Sequence, residues 1–359
     1  MKRVLLVLAG LLLIAAPVTA ETTAYGLVQN WFSYAANSAE NSDDDATQVG
    51  FGLKRARFAL KHAEGDFYGN VLMETAGGRG SIMDAYINWQ INEMFSLRAG
   101  RFVGTGSQAG SLTSPVVLDF VDYNLVGANW NRGTVGADGR TVGAQVTVQP
   151  TKMISLMANF HNGTGDLGMD NTHSGLTGPG AVADTGVLPR IDLGAKIALW
   201  PGTSTGFTYG LANEDRRVWN DMNGDGIMDM GELAADSNMS FHFYLNLGVA
   251  YMKFDWASLD YRGLDWDDDG DDVKSSGLAI MGGYPITPKI AAVAGYDKWD
   301  GDNDVDDNAV ANLHFGVNYS FNSQKPYHNR VQATFTHRLD ETERDDANVV
   351  QVMWTYLIM

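Results

Sequence analysis

The sequence predicts an all-β fold, a transmembrane antiparallel β-barrel, and three observations lead to it. The chain opens with an export signature, yet nowhere after it is there an apolar run long enough for a spanning helix. Its segments alternate polar and apolar residues with a period of two, and the links between them alternate short and long. A strand crosses the hydrocarbon with about 9 to 11 residues, one face toward lipid and one toward the lumen, so averaging hydropathy along the chain hides it.

The first element is the export signature. Lys2 and Arg3 precede an apolar stretch at 4–16 that ends in Val18-Thr19-Ala20, which reads as a signal peptide over residues 1–20, cleaved before Glu21. The apolar part is short for a hydrocarbon core of roughly 30 Å, which argues against a retained anchor. Residues 21–359 then form the barrel. Cysteine is absent, which excludes disulfides and thiolate chemistry. The formal charge of −18, more negative still once Lys2 and Arg3 are removed, argues against nucleic acid as a partner.

The clearest strand is 51–62, where Ala56, Phe58 and Leu60 share one face and Arg55, Arg57 and Lys61 the other. A turn at 63–65 leads to a strand at 67–74, and a short Gly-rich link to one at 84–90, in which Ala85, Ile87 and Trp89 alternate with Asp84, Tyr86, Asn88 and Gln90. A fourth begins at Phe95 and carries Arg98 on its polar face. The same period places strands at 25–34, 141–149, 154–160, 191–199, 205–211, 240–247, 253–261, 275–284, 290–299, 309–321, 330–338 and 349–358, sixteen in all. Short turns fall at 63–65, 91–93, 150–152, 200–204, 285–289 and 322–327. Long links fall at 35–46, 75–81, 103–140, 161–190, 212–239, 262–274, 300–308 and 339–347.

Alternation alone also suits a soluble sandwich; the asymmetry of the links is what a barrel with both termini at its periplasmic end requires. No polar turn separates the two strands within 240–261, so fourteen and eighteen strands stay open beside sixteen. Tyr25, Trp31, Tyr34, Trp89, Trp200, Trp256, Trp299, Tyr319 and Trp354 fall mostly near strand ends, as interfacial girdles would. The last strand turns Val350, Val352, Trp354, Tyr356 and Ile358 to one apolar face.

Four stretches carry a family resemblance: KRARFALKHAEGDFYGNVLMETAG at 54–77, IMDAYINWQINEMFSLRAGRF at 82–102, FHNGTG at 160–165 and GVNYSF at 316–321. In their order and spacing they resemble the phosphate-selective porins of the O and P type and related sixteen-stranded porins. The resemblance implies a homotrimer in the outer membrane of a Gram-negative bacterium, surrounded by lipid and lipopolysaccharide. It further implies passive diffusion of small hydrophilic solutes or ions, with anions such as phosphate as candidates, and an inward-folded constriction loop at 103–140. Phosphate-selective members line their constriction with arginine and lysine. The corresponding candidates are Arg55, Arg57, Lys61 and Arg98 by strand parity, with Arg101 at the rim of the loop. The apolar center of 103–140, from Pro115 to Phe120, suits packing against the inside of a wall.

No catalytic constellation stands out: the seven histidines lie scattered, without H-E-x-x-H spacing, and no serine-centred motif occurs. The sharpest local motif is DMNGDGIMDMGE at 221–232, in the extracellular link 212–239. Asp221, Asn223, Asp225, the Ile227 carbonyl, Asp229 and Glu232 stand at calcium-loop spacing, and Gly226 permits the sharp turn. Asp265, Asp267 and Asp269 repeat half of it, and Asp300, Asp302, Asp304 and Asp306 repeat its carboxylate spacing alone. A calcium-dependent surface attachment or adhesion protein anchored by its barrel is therefore the alternative function.

Overall fold

The computed structural model describes residues 20–37, 48–76, 80–106, 112, 114–135, 139–163, 190–213, 237–248, 251–262, 272–306, 308–340 and 347–358. Sixteen strands make up the wall. The first eight are β1 (Glu21–Asn37), β2 (Gln48–Glu64), β3 (Phe67–Glu74), β4 (Ser81–Gln90), β5 (Phe95–Val103), β6 (Arg140–Thr151), β7 (Ile154–His161) and β8 (Arg190–Trp200). The rest are β9 (Thr203–Asn213), β10 (Ser237–Leu247), β11 (Met252–Arg262), β12 (Val273–Thr287), β13 (Ile290–Asp300), β14 (Ala309–Ser320), β15 (Asn329–Asp340) and β16 (Ala347–Ile358). Each pairs antiparallel with its sequence neighbours, and β1 closes on β16 from Gly26↔Ile358 to Asn37↔Ala347. Closure leaves no strand edge with unpaired backbone groups, the condition for a sheet to stand in hydrocarbon.

The side chains are arranged opposite to those of a water-soluble protein. Leu193, Phe207, Phe315, Val317, Phe335, Val352 and Trp354 are exposed, whereas Gln29, Asn159, Asp192, His242, Asp255, Gln332 and Thr355 are buried. The outward set is therefore the lipid face and the inward set the lining. The last strand keeps the parity expected of it, with Val350, Val352, Trp354, Tyr356 and Ile358 all exposed. Of the aromatics read as girdle, Tyr34, Trp89, Trp200, Trp256, Tyr319 and Trp354 are exposed. Trp299 instead shares the inward phase of Asp297 and is buried. Tyr25 likewise turns inward and donates to Asn70.

Two bulges shift the side-chain phase where a strict period of two misleads. Gln29 pairs with Arg55 and Asn30 with Leu53, so Lys54 is an extra residue in β2 that joins Arg55 on the inner face. Leu72 pairs with Asp84 and Met73 with Ile82, so Met83 is extra in β4, and it packs with Ala59 and Leu72. The turn that the sequence does not mark lies between β10 and β11. Tyr251 takes it in a left-handed conformation (φ 49°), and Gly248 meets the β8–β9 turn so closely that a Cβ there would lie 2.2 Å from the Gly202 carbonyl oxygen.

An arginine on the lipid face near the middle of a spanning strand costs about 2 to 4 kcal/mol. Phe315→Arg, halfway along β14 and 54% exposed, is expected to lower unfolding stability in lipid vesicles by that amount. Denaturant titration measures it, and an unchanged midpoint would place Phe315 away from lipid.

Candidate functional site

Residues 114–135 lie inside the barrel. Their apolar side chains have no lipid to face and bury instead against one sector of the wall: Leu112, Phe120, Val126 and Trp130 pack with Ala257, Leu259, Ala279, Met281, Val293 and Trp299 from β11 to β13. Ala257 and Ala279 are small enough to leave room for the loop. The helix α1 (Leu125–Thr134) begins at Asn124, whose side chain accepts from the Gly127 amide at 2.7 Å. Gly106 and Gly133 allow close approach: a Cβ on the first would meet the Trp130 indole at 2.5 Å and on the second the Leu259 methyl at 2.4 Å.

The backbone leading into α1 lacks a strand partner, and inward side chains of β13 to β15 supply what a ladder would. The Leu118 carbonyl accepts from Arg330 at 3.0 Å and Gln332 at 3.1 Å, and the Asp119 carbonyl from Asn318 at 3.0 Å. The Val121 amide donates to Thr334 at 3.3 Å and the Leu125 amide to the Asp297 carboxylate at 3.2 Å. Charge adds to this: Lys253 pairs with Asp119 at 2.6 Å, Lys54 pairs with Asp122, and Gln351 donates to Asp122 at 2.9 Å. The loop is thus held mainly to the C-terminal half of the wall.

Three histidines that look scattered in sequence are each joined to an aspartate on the inner wall. His161 meets Asp192 at 2.8 Å, His242 meets Asp255 at 2.9 Å, and His314 meets Asp297 at 2.9 Å. Two of these rings also support the loop, His314 against Phe120 with centroids 4.9 Å apart and His242 against Trp130 at 5.5 Å. Arg190 completes the first pair by donating to Asp192 at 2.7 Å. Each partner comes from a neighbouring strand, so only the register brings the pairs together.

Among the basic candidates, Arg55 donates to Gln29 at 2.8 Å and Arg57 pairs with Glu74 at 2.7 Å. Lys61 lies over the Tyr25 ring at 5.3 Å. Arg98 lies over the Tyr86 ring at 4.6 Å and donates to the Tyr68 hydroxyl at 3.1 Å. Arg101 stands apart: it falls in the alternate phase from Arg98 and Phe102, opposite Ala85 and Val142, and donates to the Met83 carbonyl at the bulge. Parity reasoning did not single out Arg140, which pairs with Asp84 at 2.7 Å, or Lys54.

Arg57, Arg98, Arg140 and Asp84 share one cavity of about 380 Å³ between the loop and the wall of β1 to β6, closed on the loop side by Pro115, Val116 and Tyr123. The loop's attachment to the opposite sector leaves this space open. Although the chain as a whole is acidic, three guanidinium groups and one carboxylate line the cavity, with Glu74 beside Arg57.

The calcium-loop sequence, with Asp221, Asn223, Asp225, Ile227, Asp229 and Glu232, lies outside the described residues, as do residues 1–19 and Asp265, Asp267 and Asp269. The Asp302 carboxylate accepts from the Asp304 amide at 3.1 Å. Among the described residues no three histidine, aspartate or glutamate side chains converge to hold a metal ion.

No protein-family model and no curated protein sequence matches the chain. Solved structures do. An anion-selective porin from Comamonas acidovorans is similar at TM-score 0.67 and 12% identity, over 94% of this chain and 100% of that one. OmpT of Vibrio cholerae in its trimer form is similar at TM-score 0.62 and 14% identity, over 94% and 99%. The outer membrane channel DcaP of Acinetobacter baumannii is similar at TM-score 0.60 and 14% identity, over 96% and 99%. At such identities the shared property is the fold, the sixteen-stranded barrel of outer-membrane porins.

Among the described residues Trp130, on α1, is the largest fully buried side chain. Truncating a buried tryptophan to alanine costs about 3 to 5 kcal/mol. In Trp130→Ala the amides of α1 are expected to exchange with deuterium at least roughly tenfold faster while the wall strands stay protected. Mass spectrometry of peptides covering 125–134 reads this, and unchanged exchange would mean that the indole does not hold the helix.

Proposed function

We propose that the protein is a passive diffusion porin of a Gram-negative outer membrane, admitting small hydrophilic solutes and ions with a preference for anions, and that it assembles as a homotrimer. The observation that carries this reading is the cavity beside the loop, where the lining is locally basic in a chain that is acidic as a whole. The lipid-facing exterior supports the location, and the folds of an anion-selective porin and of a trimeric outer-membrane protein support the class. The resemblance to phosphate-selective porins supports phosphate as one candidate anion.

A unit charge about 6 Å from a passing ion in water contributes roughly 0.7 kcal/mol, or about threefold in relative permeability. Arg98 and Lys61 form no ion pair with a carboxylate among the described residues, so they set the local field most directly. Reversal potentials in a potassium chloride gradient across planar bilayers, repeated at low salt with potassium phosphate, are expected to favour the anion. Arg98→Glu with Lys61→Glu is expected to move the permeability ratio severalfold toward the cation. An unmoved ratio would remove the anion preference. No conductance at any voltage would overturn the porin reading in favour of the barrel-anchored attachment protein.

We further propose, from sequence, that residues 221–232 bind calcium with a dissociation constant of about 10⁻⁴ to 10⁻³ M, as extracellular modules do. Isothermal titration of the purified barrel against Asp221→Ala with Glu232→Ala decides it. Calcium heat is expected from the first and not the second, and equal binding by both would rule the site out.

A further inference from the structure

The cavity beside the loop differs from a merely basic pore in how its charges are already paired. Arg57 is engaged by Glu74 and Arg140 by Asp84, each at 2.7 Å, so two of the three guanidinium groups carry carboxylate partners. Arg98 has none among the described residues. Its neighbours are the Tyr86 ring, the Phe102 ring at 5.6 Å and the Tyr68 hydroxyl, and its buried Nε has no hydrogen-bond partner. With Glu74 counted beside Arg57, the surplus of the lining is therefore close to one positive charge, and Lys61 lies nearby over the Tyr25 ring. That surplus sits on a planar fork held in place by aromatic faces before any solute arrives, and that fork matches a carboxylate bidentately.

Part of the remaining wall is apolar, alongside Ser114 and Asn131. Leu27 and Leu72 from the strands and Pro115 and Val116 from the loop line the same space. A fully hydrated ion would gain nothing from these contacts, whereas a solute with an apolar body would bury surface there. At about 380 Å³ the cavity lies at the small end of ligand pockets.

We infer that this cavity is a binding subsite for small monocarboxylates carrying an apolar, ring-sized body, the carboxylate on Arg98 and the body between the tyrosine rings and the Leu27, Leu72 and Val116 side chains. The inference rests on the diffusion reading for its role, since it names the solutes that the passage would favour. A single surplus charge suits a monoanion better than a phosphate dianion. The apolar half separates ring-bearing carboxylates from acetate.

Benzoate, acetate and inorganic phosphate are the probes, in two experiments on the full-length mature barrel. In the first, each is titrated into the detergent-solubilised protein and binding is read by calorimetry. Benzoate is expected to bind at least tenfold more tightly than acetate or phosphate. Arg98→Gln is expected to weaken benzoate about tenfold, the size of a lost charge-assisted hydrogen bond, with Arg98→Lys falling between. Val116→Asn is expected to narrow the gap between benzoate and acetate. In the second, benzoate added to a potassium chloride bilayer is expected to interrupt the current at concentrations where acetate does not. Equal binding of benzoate and acetate, phosphate binding as tightly as benzoate, or Arg98→Gln leaving benzoate affinity unchanged in a folded, heat-modifiable barrel would each overturn the subsite. Selective benzoate binding by a protein that conducts nothing would uphold the subsite and overturn the diffusion reading instead.

Discussion

The constraint from which the rest of the structure follows is that hydrocarbon offers backbone amides and carbonyls no partner. An unpaired peptide group there costs several kcal/mol, so a spanning sheet has to meet itself. The ladder between β1 and β16 does this, with twelve facing residues from Gly26 to Asn37. Once the sheet closes, the alternating side chains have only two destinations. One set meets lipid and becomes apolar, and the other meets the interior and can be as polar as Asp192, Asp255 and Gln332.

The same requirement extends to the chain inside. Residues 118–125 carry backbone groups into the lumen without a strand beside them, and Arg330, Gln332, Asn318, Thr334 and Asp297 answer them one by one. The polar face of β13 to β15 therefore acts as an irregular substitute for a sheet edge. Packing supplies the other half of the attachment, because Ala257 and Ala279 leave a hollow that Trp130 and Val126 fill. The loop leans to one side as a result, and the interior is divided into a packed sector and an open one.

Much of the wall was legible in the sequence. The period of two placed all sixteen strands, because one face must be apolar for lipid whatever the other does, and the alternation of link lengths distinguished the two ends. What could not be read were departures from that period. An extra residue such as Lys54 or Met83 reads as ordinary alternation with one letter out of place, yet it turns a side chain inward. The β10–β11 turn carries no polar signal because it rests on the neighbouring turn at Gly202. Likewise Arg98 was found by parity, but that it alone of the three arginines lacks a carboxylate depends on Glu74 and Asp84 reaching across from β3 and β4. The histidine and aspartate pairs depend on register in the same way.

The groups that seat the loop lie far along the chain from it. Val121 and its partner Thr334 are 213 residues apart, and Leu118 and Gln332 are 214 apart. Nine strands, β6 to β14, lie along the chain between the loop and the strand that carries Arg330, Gln332 and Thr334. Non-local contacts of this kind form late, because the entropy of closing the intervening chain must be overcome first. A chain that ended before β14 would keep the apolar seat on β11 to β13 but lack the side chains of β14 and β15 that answer the loop's backbone at 118–121.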